Sequence, residues 1–189
     1  MKNTKDELYE EIIIAGFGGQ GIILAGKLLA QTAMNAGKEV TFMPSYGAEV
    51  RGGTANCMVV ISDRQIACPV VGNPDTLLVM NKASLNKFAP LLKKGGLLIM
   101  NSSLIDTGTH FNDSVEVLAV PADDLAIEAG NKKTANMIML GAYLQKRSHL
   151  SLDLAVSAMP QVIAERHHNT LLVNIKALHR GAEFAKSAY

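Results

Sequence analysis

Ile12-Ile13-Ile14-Ala15-Gly16-Phe17-Gly18-Gly19-Gln20-Gly21 is the stretch from which the fold can be read. Three β-branched residues in succession, with no polar alternation, describe a short strand buried on both faces, as in a parallel sheet. The run ends in Gly16-x-Gly18-x-x-Gly21, and Gly21 opens a helical pattern carrying Leu24, Leu28 and Leu29. Strand, glycine turn and helix start, in that order, bring backbone N–H groups and the positive end of a helix dipole to one place. A phosphate or carboxylate is one occupant for such a turn. The other reading is that the glycines only permit a tight turn and close packing of helix on sheet.

Beyond the turn, Gly37 closes the first helix. Lys38 to Met43 reads as a second strand stopped by Pro44, and Thr54 to Ile61 as a third. The connection between them is too short for a full helix, so they either pair or flank a crossover. Asp63 to Pro74 is irregular. Thr76 to Met80 is a fully apolar strand ending at Asn81, followed by a helix over roughly Ser84 to Lys93 with Gly95 as its stop. Leu97 to Met100 is a further buried strand ending at Asn101, 107–113 is loop, and Val115 to Val120 is a last strand halted by Pro121. The remainder is helical: a start at Asp123-Asp124, a break at Gly130-Asn131, and a segment through Ala135, Ile138, Met139 and Ala142. A Ser151-capped helix with a kink at Pro160 and a final helix through Leu171, Ile175 and Leu178 complete it. This order defines a Rossmann-like α/β fold, a mostly parallel doubly wound sheet with a helical C-terminal extension, as one domain over residues 1–189.

Composition narrows the function. Among 189 residues there is no Trp, so the core is aliphatic; 18 basic and 17 acidic residues are spread without blocks. Neither nucleic acid nor an anionic membrane is expected as a partner, since both call for clustered basic charge. Acids in the first ten residues argue against a signal peptide, and no apolar run reaches a membrane span, so a cytoplasmic location is expected. Cys57 and Cys68 match no metal or cluster spacing; Cys57, in an apolar run, is expected to be buried and Cys68 more exposed. The five histidines fall near helix ends or in loops, with no metal role expected.

In this fold, ligands sit beyond the carboxyl ends of the strands. The residues falling there are Gly16 to Gly21, the segment Pro44 to Gly53, Asn81 and Asn101. A nicotinamide site would need an acid about 20 residues past the glycines, but the second strand ends Thr41-Phe42-Met43-Pro44, without one. A free-standing dehydrogenase is therefore disfavoured. Ser45-Tyr46-Gly47-Ala48-Glu49-Val50-Arg51-Gly52-Gly53 packs a phenol, a carboxylate and a guanidinium among three glycines. Arg51 suits a bidentate grip on phosphate or carboxylate, with Glu49 orienting it or contacting a partner chain and Gly52-Gly53 admitting close backbone approach. A solvated Glu–Arg loop is the alternative. Asn81 and Asn101 are as well suited to satisfying loop backbone as to touching a ligand. Ser45 lacks any nucleophile context, so no catalytic residue is assigned.

Two long motifs then resemble one family. Ala15-Gly16-Phe17-Gly18-Gly19-Gln20-Gly21 and the run from Met43-Pro44-Ser45-Tyr46-Gly47 through Arg51-Gly52-Gly53-Thr54-Ala55-Asn56-Cys57 closely resemble the gamma subunit of 2-oxoacid:ferredoxin oxidoreductases. The resemblance extends through Asp75 to Asn81 and through Asn136 to Ala142, covers essentially the whole chain, and is closest in wording to the 2-oxoglutarate and branched-chain 2-oxoacid branches. It implies CoA-dependent oxidative decarboxylation of a 2-oxoacid with ferredoxin as acceptor. It also implies alpha and beta partner chains, with a small delta chain as a further partner, holding thiamine diphosphate, magnesium and iron–sulfur clusters. This chain holds none of these cofactors alone, CoA being a shared substrate. The site residues carried by the resemblance are Gly16, Gly18, Gly19, Gln20, Gly21, Ser45, Tyr46, Gly47, Glu49, Arg51, Gly52, Gly53, Asn81 and Asn136, shaping the CoA approach or docking on the catalytic chains. A stand-alone nucleotide- or CoA-binding module is the alternative function. The apolar C-terminal helices are compatible with self-association of the isolated chain.

Overall fold

A computed structural model describes residues 7–46, 54–106, 108, 111 and 114–188. Six strands form one sheet: β1 (Tyr9–Phe17), β2 (Glu39–Tyr46), β3 (Thr54–Ser62), β4 (Thr76–Val79), β5 (Leu97–Asn101) and β6 (Glu116–Val120). Their order is β2-β3-β1-β4-β5-β6. From β1 outward through β4, β5 and β6 every pairing is parallel, whereas β3 runs antiparallel to both β1 and β2. Five strands therefore share a direction, and the second and third expected strands pair as neighbours.

The Ile run is unbroken because both faces of β1 are covered. Ile12 and Ile14 enter a large core under α1 (Ile22–Asn35), α3 (Ala122–Ala129), α4 (Ala135–Arg147), α5 (Leu152–Val162) and α6 (Leu171–Ser187). Ile13 and Ala15 enter a smaller one formed with Leu85 and Phe88 of α2 (Lys82–Phe88), Val71 and Ile105. The C-terminal helices thus supply most of one layer of the fold. No helix among the described residues is long and apolar enough to cross a membrane.

Two boundaries differ from the sequence reading. β2 continues through Pro44 to Tyr46, because β2 is an edge strand in which a missing N–H can face outward. The helix expected over 84–93 starts at Lys82 and ends at Phe88, with a single 3-10 turn, Ala89–Leu91, carrying Pro90. Lys93, expected at that helix's C-terminus, instead donates to Glu11 and Asp75 at 2.8 and 2.9 Å. Burial alone would lower its pKa, but the two carboxylates outweigh it and hold the ammonium above its ordinary value. Pro160 lies in the last turn of α5, which ends at Val162, and Ser151 caps that helix through Leu154 N at 3.2 Å.

Candidate functional site

α1 and α2 leave the carboxyl ends of the neighbouring strands β1 and β4 toward opposite faces of the sheet. This is the switch point at which such folds bind ligands. Here the crevice is filled by the chain itself. Gln20 Oε1 accepts from Phe17 N at 2.7 Å and from Asn81 Nδ2 at 3.0 Å, while Gln20 Nε2 donates to the Met80 carbonyl at 3.4 Å. Asn81 Oδ1 in turn accepts from Ser84 N at 2.9 Å and caps α2. A side chain on Gly16 would strike Gln20 Oε1 and Ile22, at 2.7 and 2.6 Å. The first glycine therefore makes room for this internal plug.

Gly21 is required twice over. Its φ of 72° lies in the left-handed region, and a Cβ there would fall 2.4 Å from Asn136 Nδ2, which donates to the Gly21 carbonyl at 3.0 Å. Asn136, at the start of α4, thus locks the turn to a helix 115 residues away in sequence. Its Oδ1 is buried without a hydrogen-bond partner among the described residues, a cost that a water or ligand donor would relieve. Gly18 and Gly19 remain exposed, so the turn is sealed toward the sheet and open toward solvent.

On the open side lies a cavity of about 440 Å³ lined by Gly19, Gln20, Met80, Asp123, Asn131, Lys132, Lys133 and Ala135. Asp123 is fixed by Asn101 Nδ2 at 3.0 Å and faces Lys132 at 3.5 Å. Asn101 also accepts from Ser103 N and Ala122 N, at 3.2 and 3.1 Å, so its amide serves loop backbone and Asp123.

The structure therefore brings Gly16, Gln20, Gly21, Asn81 and Asn136 into one connected cluster. Ser45 pairs with Asn56, which pairs with Ala15, and Tyr46 stands level with Gly16. Both sit at the same end of the sheet as the glycine turn, two strand spacings from it, roughly 10 Å. Gly47, Glu49, Arg51, Gly52 and Gly53 lie outside the described residues. Lys132 and Lys133 escaped the sequence reading, which treated Gly130-Asn131 as a helix break. The available signal was a lysine pair placed immediately before the segment bearing Asn136. Among the described residues no group of three or more His, Cys, Asp or Glu could hold a metal ion.

The structure defines a six-stranded α/β domain with a glycine turn plugged by Gln20 at its switch point. Comparison makes the class specific. The family model described as pyruvate ferredoxin/flavodoxin oxidoreductase matches residues 11–184, and the chain belongs to that family. Over 188 residues it is 32% identical to the 2-oxoglutarate synthase subunit KorC of Methanocaldococcus jannaschii, covering 98% of this chain and 99% of that one. The ketoisovalerate oxidoreductase subunit VorA of Methanothermobacter thermautotrophicus is 35% identical over 174 residues, but this chain spans only 36% of its length. Among solved structures, the gamma subunit of a keto/oxoacid ferredoxin oxidoreductase from Geobacter sulfurreducens superposes with a TM-score of 0.80 at 30% identity, covering 94% of this chain and 99% of that one. The 2-oxoglutarate:ferredoxin oxidoreductase of Magnetococcus marinus, solved with 2-oxoglutarate, coenzyme A and succinyl-CoA bound, shares the fold. There the TM-score is 0.85 at 24% identity, over 95% of this chain and 31% of that one.

Proposed function

We propose that this chain is the gamma subunit of a multi-chain 2-oxoacid:ferredoxin oxidoreductase, acting as one gamma-type domain and inactive alone. The enzyme would convert a 2-oxoacid, CoA and oxidised ferredoxin into acyl-CoA, carbon dioxide and reduced ferredoxin. The observation that carries the reading is the end-to-end match to a 2-oxoglutarate synthase subunit of the same length. The substrate is 2-oxoglutarate or a branched-chain 2-oxoacid, the substrates named for these relatives. Partner alpha and beta chains would carry thiamine diphosphate, magnesium and iron–sulfur clusters, with a delta chain as a further cluster carrier.

Within that assembly, this chain's part is to complete the CoA side of the site. The open face of the glycine turn (Gly16, Gly18, Gly19, Gln20 and Gly21), braced by Asn81 and Asn136, forms one wall. The segment Ser45, Tyr46, Gly47, Glu49, Arg51, Gly52 and Gly53 forms a second element, with Arg51 gripping an anionic group or anchoring a partner chain. Support comes from placement: Ser45 and the glycine turn share the carboxyl edge of the sheet.

The test is co-expression with the chains encoded beside it, followed by CoA-dependent dye reduction with pyruvate, 2-oxoglutarate and 2-oxoisovalerate. Activity should require this chain and favour one of the latter two acids. Failure to co-purify with thiamine-bearing chains, or full activity without this chain, would overturn the proposal. In the assembled enzyme, Arg51→Ala should raise the CoA requirement or weaken assembly; unchanged values for both would remove Arg51 from the site.

A further inference from the structure

At the amino end of the sheet, β1 begins well before its neighbour β4. Ile12 stands level with Thr76, the first residue of β4, so Tyr9 to Glu11 overhang. The gap beside them is a cavity of about 260 Å³, lined also by the turn Lys94-Gly95-Gly96, by Arg147 at the end of α4 and by His149 just beyond it.

Backbone alternation aims one peptide group into this gap. On the β3 side, the Leu8 carbonyl accepts from Asp63 N at 2.9 Å; on the β4 side, the Glu11 carbonyl accepts from Asp75 N at 2.7 Å. Main-chain groups change sides at every residue of a strand. Tyr9 therefore points its N–H and carbonyl the same way as Glu11, into the space where β4 has not yet started.

The acids on the wall are already spent. Glu10 accepts from Thr76 Oγ1 and the Tyr143 hydroxyl and pairs with Arg147. Asp75 accepts from Lys93 Nζ and from Glu11 N, both at 2.9 Å. Donors are left over. Arg147 commits Nε to Thr76 Oγ1 and Nη2 to the Asp75 carbonyl, both at 2.9 Å, which leaves Nη1 without a hydrogen bond among the described residues. His149 reaches Glu10 only through Nε2, at 4.0 Å. Lys94 is exposed and makes no ion pair among the described residues. Glu11, off the wall, shares Lys93 with Asp75, so the excess here lies in unspent donors rather than in net charge.

We propose that this gap binds an oxyanion of the phosphate class, free phosphate or the terminal group of a phosphate monoester, held by Lys94, Arg147 Nη1 and the Tyr9 N–H. The donors belong to three separate elements: the overhang of β1, the turn before β5 and the end of α4. A tetrahedral oxyanion offers acceptor oxygens in several directions at once, whereas a carboxylate offers two in one plane. The site lies at the opposite end of the sheet from the glycine turn, so the inference does not rest on the CoA reading.

The experiment titrates the full-length chain with sodium phosphate, and separately with glycerol 3-phosphate, replacing chloride at constant ionic strength. Wild type should show a saturable shift of the Tyr9 amide resonance and a melting temperature that rises with occupancy. Tighter binding of the ester identifies a phosphorylated metabolite as the ligand; tighter binding of the free ion identifies phosphate itself. Succinate, of similar charge but with planar carboxylates, should bind at least about tenfold more weakly. Lys94→Ala should weaken phosphate binding by about tenfold, Lys94→Arg should retain most of it, and Lys94→Glu should abolish it. A Tyr9 shift that grows without saturating marks an adventitious ion only and overturns the proposal. So do equal affinities for phosphate and succinate, and phosphate binding that Lys94→Glu leaves unchanged.

Discussion

Gln20 directs its amide inward, to Phe17 N, Met80 O and Asn81 Nδ2. Gln20→Ala removes three hydrogen bonds, one exposed and two part-buried, each with a net value of about 0.5–1.5 kcal/mol; denaturant titration should show a loss of about 1 kcal/mol or more. The sequence carried the glycine spacing and the lack of a ribose-binding acid, both local facts. It could not carry the plug, because Asn81 lies 61 residues from Gln20 and only folding makes them neighbours. The cysteines were legible for a simpler reason, since apolar neighbours forecast burial. Cys57 is buried and Cys68 exposed; burial pushes the Cys57 thiol up to about 12, against a smaller lowering by the Gly26 backbone. Iodoacetamide at pH 8 should therefore give a single adduct by mass spectrometry, on Cys68, with Cys57 reacting only in denaturant. Because the folded value exceeds the roughly 8.5 of an unfolded thiol, the stability linked to this group is complete below that pH. It is lost progressively as pH rises toward 12.

Elements were legible where hydrophobic pattern and punctuation agreed, and least legible where pairing decided. The reading stopped β2 at Pro44 because proline cannot donate to a ladder, but at an edge only one side of the strand needs its donors. The close approach of α4 and α6 left no periodic signature beyond two glycines. Yet a Cβ on Gly141 would lie 1.9 Å from the Leu178 carbonyl oxygen, and one on Gly181 1.9 Å from that of Ile138. The two helices touch backbone to backbone there. Gly141→Ala must separate them, and since the obstacle is main chain no side-chain rotamer can absorb it. Overpacking of this kind costs about 1–3 kcal/mol and occasionally more, so in a chain of this size the melting temperature should fall by about 2 °C or more. An unshifted melting temperature would mean the helices separate freely. Asn81→Ala is milder in kind: loss of the α2 cap should cost about 1 kcal/mol, and it also removes a donor from Gln20.

Across the whole molecule the two ends of the sheet are built for different tasks. The carboxyl end carries exposed glycines and a cavity lined by two lysines and one acid, while the amino end is organised around one buried carboxylate. Glu10, 4% exposed, accepts from Thr76 Oγ1 at 2.7 Å and the Tyr143 hydroxyl at 2.8 Å, and forms an ion pair at 3.1 Å with Arg147, whose Nε donates to Thr76 Oγ1 at 2.9 Å. Burial first, and then the Glu10 charge, push the Tyr143 hydroxyl well above its ordinary value, so it stays a donor. Arg147 Nη2 also donates to the Asp75 carbonyl at 2.9 Å, tying the end of α4 to β1 and β4 together. In the sequence Glu10 was one acid in a charged opening segment; its partners lie 66 to 137 positions away, beyond any local pattern. Glu10→Gln keeps the shape but removes the charge that balances Arg147 and places an amide donor among donors. Stranding one partner of a buried pair costs about 3–5 kcal/mol, so the urea midpoint should drop sharply. The CoA KM of the assembled enzyme should stay where it was, because nine residues of β1 put about 26 Å between Glu10's end of the strand and the glycine turn. A shift in CoA KM without a drop in the midpoint would mean that the two ends are coupled through α4, the one helix that reaches from Asn136 to Arg147.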